Sequence, residues 1–327
     1  MKLVIQIPCL NEEQTLPETV RDLPRTVDGF DQVEYLVIDD GSTDRTIEVA
    51  RELGVHHIEA LPRNRGLAAA FSIGLEVAVS RGADVIVNTD GDNQYFGADV
   101  EKLVRPIVEG SADMVIGDRR TGTIPHFSFM KKRLQFLGSL AVRQLSGTSI
   151  PDATSGFRAF TRDTALRLHI YSNFSYTLES IIQTSRRGLR VVSVPIRTNE
   201  QTRKSRLMRS TKHFVVRSAA TLIRLSIFYR PFIFFTYLGG ALLLPGVLIG
   251  ARFLYFLQIG SGAGHIQSLI LATILLLMGS TTLALGLIAN LLAANRGLLE
   301  EQIYRSRSLA LKQDHPPLEG PAPSGPR

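Results

Sequence analysis

Short apolar runs alternate with segments of helical spacing over the first two hundred residues. The strand-like runs are LVIQI (3–7), EYLVID (34–39), VHHIEA (55–60), DVIVNT (84–89) and DMVIG (113–117). Between them, Glu12 to Leu23, Thr43 to Leu53, Leu67 to Ser80 and Ala98 to Val108 carry apolar residues at helical intervals. Gly54, Gly82 and Gly110 stand just past the last three, where helices commonly stop. This alternation predicts an α/β domain, a parallel sheet with helices on both faces. Ligands of such sheets sit beyond the carboxyl ends of the strands. PCLNEE (8–13), DDGSTD (39–44) and TDGDNQ (89–94) all fall there.

The pattern changes after residue 230. PFIFFTYLGGALLLPGVLIG (231–250) and IQSLILATILLLMGSTTLALGLIANLLAA (266–294) carry no charge. Each is long enough to cross a bilayer core of roughly 30 Å, so two transmembrane helices are expected at about 231–251 and 267–293. Basic residues crowd both outer flanks: Arg203, Lys204, Arg206, Arg209, Lys212, Arg217, Arg224 and Arg230 before, Arg296, Arg305, Arg307 and Lys312 after. The positive-inside rule puts both flanks in the cytoplasm and makes the pair a hairpin in the cytoplasmic (inner) membrane. Two further stretches, 128–145 and 207–230, set basic residues opposite apolar ones at helical spacing. They read as interfacial helices lying against anionic lipid headgroups. The expected order is therefore an α/β domain at 1–206, a basic juxtamembrane helix at 207–230, the hairpin at 231–294, and a cytoplasmic, partly disordered tail at 295–327, Pro/Gly-rich from His315.

Charge sharpens this division. Residues 1–127 hold 12 Lys/Arg against 22 Asp/Glu, whereas 128–255 hold 20 against 4. The overall +7 is thus not one basic surface. With no aromatics interleaved in the basic stretch, and membrane spans beside it, nucleic acid is not expected as a partner. Cys9 is the single cysteine, so no internal disulfide framework exists; it reads as a small packing residue. Met1-Lys2 leads straight into LVIQIP, a first strand rather than the apolar stretch of a signal peptide. His56 and His57 alternate within a strand and read as structural.

The chemistry concentrates in the acidic clusters. G-x-G-x-x-G after the first strand and G-x-x-x-x-G-K-[ST] anywhere are both missing, so a bound nucleotide would be held by carboxylates and a metal instead of a glycine loop. Asp90 and Asp92 stand one residue apart at the end of a buried-strand pattern, with Asn93 and Gln94 behind them. Hard divalent cations take one or two carboxylates plus substrate phosphates and waters. Asp90 and Asp92 offer the carboxylates for Mg²⁺ or Mn²⁺, and the Gln94 amide a third oxygen.

PCLNEE (8–13), IDDGSTD (38–44), NRGLAAA (64–70), TDGDNQ (89–94) and DATSGFRAF (152–160), in this order, resemble the serial motifs of family 2 glycosyltransferases with the GT-A fold. The nearest likeness is to the dolichyl-phosphate mannose synthase-like, polyprenyl-phosphate subgroup, and it covers about residues 3–200. The resemblance implies a Rossmann-like nucleotide-diphospho-sugar transferase domain. Pro8, Asn11, Glu12, Asp39, Asp40, Gly66, Asp90 and Gly91 would bind the nucleotide sugar, and Asp90, Asp92 and Gln94 the metal. Related mannose synthases carry R-x-x-G-x-S-K after the last strand; VPIRTNEQTRKSRL (194–207) lacks the glycine, so either Arg197 or Arg203 matches that arginine. A processive polysaccharide synthase is disfavoured, because its Q-x-x-R-W motif needs a tryptophan and this chain has none.

The acceptor is read from what the basic half lacks. Transfer to a hydroxyl usually needs a general base, yet between 128 and 255 the acids are only Asp152, Asp163, Glu179 and Glu200. A polyprenyl phosphate is already anionic and needs cations instead. Arg119, Lys132, Arg133, Ser155, Arg158, Arg203 and Arg206 are its candidate ligands, with Asp152 or Glu179 as base if the acceptor is a lipid or glycan hydroxyl. The expectation is an inverting transfer from a UDP- or GDP-sugar to polyprenyl phosphate, with Asp90, Asp92 and Arg119 at its centre. A non-catalytic membrane scaffold is the alternative of another class, and self-association is left open.

Overall fold

The computed structural model describes residues 1–120, 147–171, 176–199, 220, 223–260 and 262–314. It divides into two compact units, residues 1–211 with 300–327, and residues 212–299.

The first unit is built on seven strands: β1 (Lys2–Cys9), β2 (Gln32–Asp39), β3 (His57–Ala60), β4 (Val85–Asn88), β5 (Met114–Asp118), β6 (Arg158–Thr161) and β7 (Val191–Pro195). Their order is β3-β2-β1-β4-β6-β5-β7. The sheet is not wholly parallel as expected. β6 runs antiparallel to both β4 and β5, while every other pairing is parallel. The reversal escapes the apolar pattern because RAFT is four residues long with no alternation. It has a consequence for function. An antiparallel strand enters the sheet at the edge where its parallel neighbours leave, and Arg158 lies opposite both Asn88 and Ile116. The SGF turn before β6 is thereby brought to the end of the strand that carries Asp90.

Helices α1 (Leu16–Asp22), α2 (Thr46–Glu52), α3 (Leu67–Ser80), α4 (Val100–Val108), α5 (Arg162–Arg167) and α6 (Tyr176–Arg186) cover the sheet. Alternate residues of each strand feed two separate cores. Leu3, Ile5, Ile7, Val37, Val85 and Val115 pack with Leu16, Val20, Leu103 and Val104. Val4, Leu36, Ile38, Ile86, Met114 and Ile116 pack with Phe71, Leu75, Ala165 and Ile181. Strands buried on both faces explain why β1 reads as a continuous apolar run. Its exception, Gln6, is wholly buried and donates to Asn88 Oδ1 on β4 at 2.8 Å. His56 and His57 are structural here: His56 Nδ1 accepts from the Tyr35 amide, and His57 pairs with Glu34 at 2.7 Å.

The second unit holds α7 (Pro231–Gln258) and most of α8 (Ile266–Asp314). Gly239 meets Leu283 and the Gly279 carbonyl, Gly246 meets Leu275 and Leu276, and Gly286 meets Phe235, so the two helices run antiparallel. Both are long and apolar enough to cross a membrane, and only 11% and 17% of their most apolar windows is buried. A core helix of a soluble domain would be mostly covered. α8 continues as one helix to residue 314, beyond the span end expected at 293 and up to His315, where the disordered part of the tail was expected to begin. The continuation is polar but made of good helix formers, with Arg305 paired to Glu301 one turn away at 3.0 Å. Of the juxtamembrane helix expected at 207–230, residues 220 and 223–229 are helical. The rest of that segment before residue 220, the helix expected at 128–145, and the tail from His315 lie outside the described residues.

Candidate active site

Three loops meet at the carboxyl ends of β1, β2 and β4. Asn11, at φ 55°, sits in the left-handed region that asparagine tolerates better than most residues. Its side chain accepts from the Thr43 amide at 2.8 Å while its own amide donates to Ser42 Oγ. These bonds fasten the PCLNEE loop to DDGSTD. The Glu12 amide donates to Thr46 Oγ1, and the Thr15 hydroxyl lies 2.7 Å from Glu12 Oε2 and 2.9 Å from the Gly91 carbonyl. Gly91 packs on β1, where an added Cβ would stand 3.1 Å from Cys9 Sγ. Burial pushes the Cys9 thiol well up, so it is a packing residue, as its sequence context suggested.

The adjacent aspartates Asp39 and Asp40 do different work. Asp40 accepts from the Arg65 and Gly66 amides at 2.7 and 2.8 Å, holding the NRG turn at the start of α3. These amides precede the first helical residue, Leu67, and a carboxylate this close to a helix N-terminus is favourable to its dipole. Asp39 Oδ2 accepts from the Ser42 amide, while Asp39 Oδ1 is buried with no hydrogen-bond partner in the structure. A buried carboxylate oxygen left without a donor is costly, and a donor on a bound molecule would relieve it.

Asp90 and Asp92 lie at the end of β4. Asp92 accepts from the Gln94 amide at 3.2 Å, and Asn93 is left-handed at φ 54°. The Asp90 carboxyl is raised to about 6, chiefly by burial, then by the charge of Asp92; Arg119, Tyr95 and, with opposite sign, Glu12 act more weakly. The cluster is short of positive charge at neutral pH. Among the described residues no group of three or more His, Cys, Asp or Glu side chains converges to hold a metal. Two hard carboxylates with mutual repulsion nevertheless suit Mg²⁺ or Mn²⁺ whose remaining ligands come from a diphosphate and water.

Arg119, from the GDRR turn after β5, reaches this region and is bound bidentately. Its Nε and Nη2 lie 2.7 and 3.0 Å from the Asp152 carboxylate, and Nη2 also meets Thr154 Oγ1 at 2.9 Å. Burial alone would raise the Asp152 carboxyl, but the Arg119 guanidinium and Thr154 hydroxyl hold it below the usual range. Such a carboxylate is a poor proton acceptor. Glu179, on α6, is buried and accepts from the Tyr171 amide at 2.9 Å.

The SGFR turn departs from its expected role. Arg158 is wholly buried, and its guanidinium donates to the carbonyls of Ser155, Thr177 and Ala153 and to Ser180 Oγ. Those bonds tie the turn to α6 and leave the guanidinium no open face for an acceptor. Ser155 beside it is wholly buried with an unpartnered Oγ. Arg197 is likewise engaged, with Asp99 at 2.6 Å and its guanidinium 3.8 Å from the Phe96 ring centre. Lys132, Arg133, Arg203 and Arg206 lie outside the described residues.

Four contributors were not singled out in the sequence. Tyr95 Oη accepts from the Gly156 amide at 2.9 Å, and its ring stacks on Phe157. Asn88 Nδ2 donates to the Gly156 carbonyl at 2.8 Å. Tyr176 stacks on Phe71 at 4.1 Å and meets Asn88 through its hydroxyl. The Asn199 amide donates to the Gln94 carbonyl, and its side chain to the carbonyls of Asn93 and Tyr95. A polar Asn88 closing an otherwise apolar strand was the one available signal; nothing in the sequence pattern sets the two tyrosines apart.

Comparison with known proteins follows the same region. Residues 4–167 match the profile of glycosyl transferase family 2. A dolichyl-phosphate hexose transferase of Haloferax volcanii is 32% identical over 212 residues, covering 63% of this chain and 86% of that protein. An undecaprenyl-phosphate mannosyltransferase of Micrococcus luteus is 30% identical over 207 residues, covering 60% and 83%. Among solved structures, glucosyl-3-phosphoglycerate synthase of Mycobacterium tuberculosis with Mn²⁺, uridine-diphosphate and phosphoglyceric acid aligns with a TM-score of 0.52 at 21% identity, covering 68% of this chain and 78% of that one. At that identity the likeness is one of fold.

Proposed function

The chain belongs to glycosyl transferase family 2, and from that membership we propose a membrane-bound, inverting enzyme that moves a sugar from a UDP- or GDP-sugar to a polyprenyl phosphate. The observation that carries this reading is the paired carboxylates Asp90 and Asp92 after β4, together with an Asp39 Oδ1 at the end of β2 that is buried without a hydrogen-bond partner among the described residues, all at the carboxyl edge of the sheet. Asp39 suits an N–H or O–H of the base or ribose. Asp90 and Asp92 suit a divalent cation, with Gln94 beside them; bound there, it would neutralise charge on the leaving diphosphate.

The acceptor assignment rests on the state of the acids. Asp152 is clamped by Arg119, which makes it a poor proton acceptor, and the buried Glu179 already accepts from the Tyr171 amide. A phosphate oxygen needs no base. It attacks the sugar C1 as the bond from C1 to the diphosphate oxygen breaks, the leaving group keeping the electron pair, and attack from the opposite face inverts the centre. The names of the two bacterial and archaeal relatives, which act on undecaprenyl and dolichyl phosphates, agree with this acceptor. Apolar α7 and α8 fit a membrane hairpin, with the catalytic domain on the cytoplasmic side where basic flanks favour it.

The test is release of nucleoside diphosphate by the purified full chain with Mn²⁺ or Mg²⁺, across UDP- and GDP-sugars, with and without undecaprenyl or dolichyl phosphate. One donor consumed only with lipid phosphate is the expected result. Consumption driven equally by a lipid or glycan hydroxyl would refute the acceptor, and no nucleotide binding at all would favour a scaffold.

A second expectation follows from Asp90. Its carboxyl keeps a proton to about pH 6 in the fold, against an ordinary value of 3.8. The folded state therefore binds the extra proton between those values, and stability falls as pH rises through that window. A cation competes for the same oxygen once the proton has left. Mn²⁺ with UDP or GDP should thus raise the melting temperature clearly at pH 7 and much less at pH 5. Equal shifts at both pH values would place the cation elsewhere.

A further inference from the structure

Gly156 is held from three sides. Its amide donates to Tyr95 Oη at 2.9 Å and its carbonyl accepts from Asn88 Nδ2 at 2.8 Å. Its third side faces Asp90: a Cβ built there would stand 3.0 and 3.1 Å from the two carboxylate oxygens and 2.9 Å from Tyr176 Oη. Only glycine lets the turn come this close. Asn88 is itself fixed, its Oδ1 accepting from Gln6 Nε2 on β1. Tyr95 is delivered by a rigid ring, buried and stacked on Phe157 with centroids 5.0 Å apart and planes 13° apart.

A phenolic hydroxyl has one proton to give and can accept as well. Accepting from Gly156 leaves the proton of Tyr95 free to turn toward Asp90, and the hydroxyl is among the groups that lower the Asp90 carboxyl. We propose that Tyr95 is a positioning residue for the metal-binding carboxylate, its hydroxyl locking the Ser155–Phe157 turn as the back wall against which Asp90 is held toward Asp92. The inference rests on the cation site proposed above. Tyr95 touches neither sugar nor acceptor in this role; it acts through Asp90. Groups that orient a metal ligand commonly change metal affinity by about 10- to 100-fold when removed.

Tyr95→Phe keeps the ring, its burial and its stack, and removes only the hydroxyl. Phe157→Leu is the opposite control, losing the stack but keeping the hydroxyl. Mn²⁺ is titrated by electron paramagnetic resonance into the full chain with saturating nucleoside diphosphate, UDP and GDP in parallel. The comparison includes wild type, both variants and Asp92→Ala. Tyr95→Phe is expected to weaken Mn²⁺ binding by about 10- to 100-fold, and Phe157→Leu, which loosens the ring but keeps the hydroxyl, by much less. Wild-type affinity in Tyr95→Phe, with binding lost in Asp92→Ala, overturns the inference and leaves the cation site standing. Equal weakening in Tyr95→Phe and Phe157→Leu reduces Tyr95 to packing and also overturns it. If wild type and Asp92→Ala bind alike, the cation site fails and takes this inference with it.

Discussion

Asp92→Ala is expected to abolish sugar transfer, by about 10³-fold or more in kcat/KM, at an almost unchanged melting temperature. A loss of that size is typical where a main source of charge stabilisation at a leaving group is removed. At this position the fold loses a hydrogen bond that Asp92 accepts from the Gln94 amide at 3.2 Å, and a bond of this kind contributes about 1 kcal/mol net. Against it stands the repulsion that Asp92 exerts on Asp90, the largest influence on that carboxyl after burial. Removing Asp92 lifts this repulsion, so the two effects nearly cancel. Activity and thermal melts on the same preparation, with Mn²⁺ present, check both halves. Transfer at more than a tenth of the wild-type rate would move the leaving-group site away from TDGDNQ. A fall of many degrees would mean that the loop is held by Asp92 itself.

Arg158→Met has its largest effect on stability, on the order of 3 kcal/mol. The guanidinium is wholly buried, without a carboxylate partner, and drawn down to about 10 chiefly by burial, so it is still charged at neutral pH. What holds it is geometry. Nε donates to the Ser155 carbonyl at 2.6 Å, Nη1 to the Thr177 carbonyl at 2.6 Å and Ser180 Oγ at 2.7 Å, and Nη2 to the Ala153 carbonyl at 2.8 Å. Methionine fills much of the volume and relieves the cost of burying a charge, but strands those acceptors away from water. Lysine restores the charge yet places all its donors on one nitrogen, which cannot span the turn and α6 together. A melting temperature lowered by about 6–12 °C in Arg158→Met, with Arg158→Lys no better than partly restored, is the expected pattern. Wild-type melting for either variant would show that the turn is held by something else. Activity should fall with stability here, since Ser155 and Gly156 belong to the same turn.

The sequence went far because the chemistry of this domain lies in continuous motifs at strand ends. Apolar runs located β1 to β5 within a few residues, and the position of PCLNEE, DDGSTD and TDGDNQ just beyond β1, β2 and β4 followed from the alternation alone. Two uncharged segments likewise announced α7 and α8. These features are local: side-chain periodicity follows from burial on each face, and an uncharged twenty-residue run has few stable environments outside a bilayer or a core.

Roles of the basic residues were a different matter. Arg119, Arg158 and Arg197 look alike in the sequence, yet one clamps Asp152, one is buried on carbonyls, and one pairs with Asp99. Which partner an arginine finds depends on residues 3 to 98 positions away, and no spacing rule encodes that. The antiparallel entry of β6 is the decisive case. Residue types alone determined that Asp90 and Asp92 would form an acidic turn at a strand end. Only the reversed strand, by bringing Gly156 against Asp90 and within reach of Tyr95 and Asn88, decided how that turn is held. The first follows from charge and local periodicity; the second needed long-range backbone pairing, whose direction four residues of RAFT do not specify.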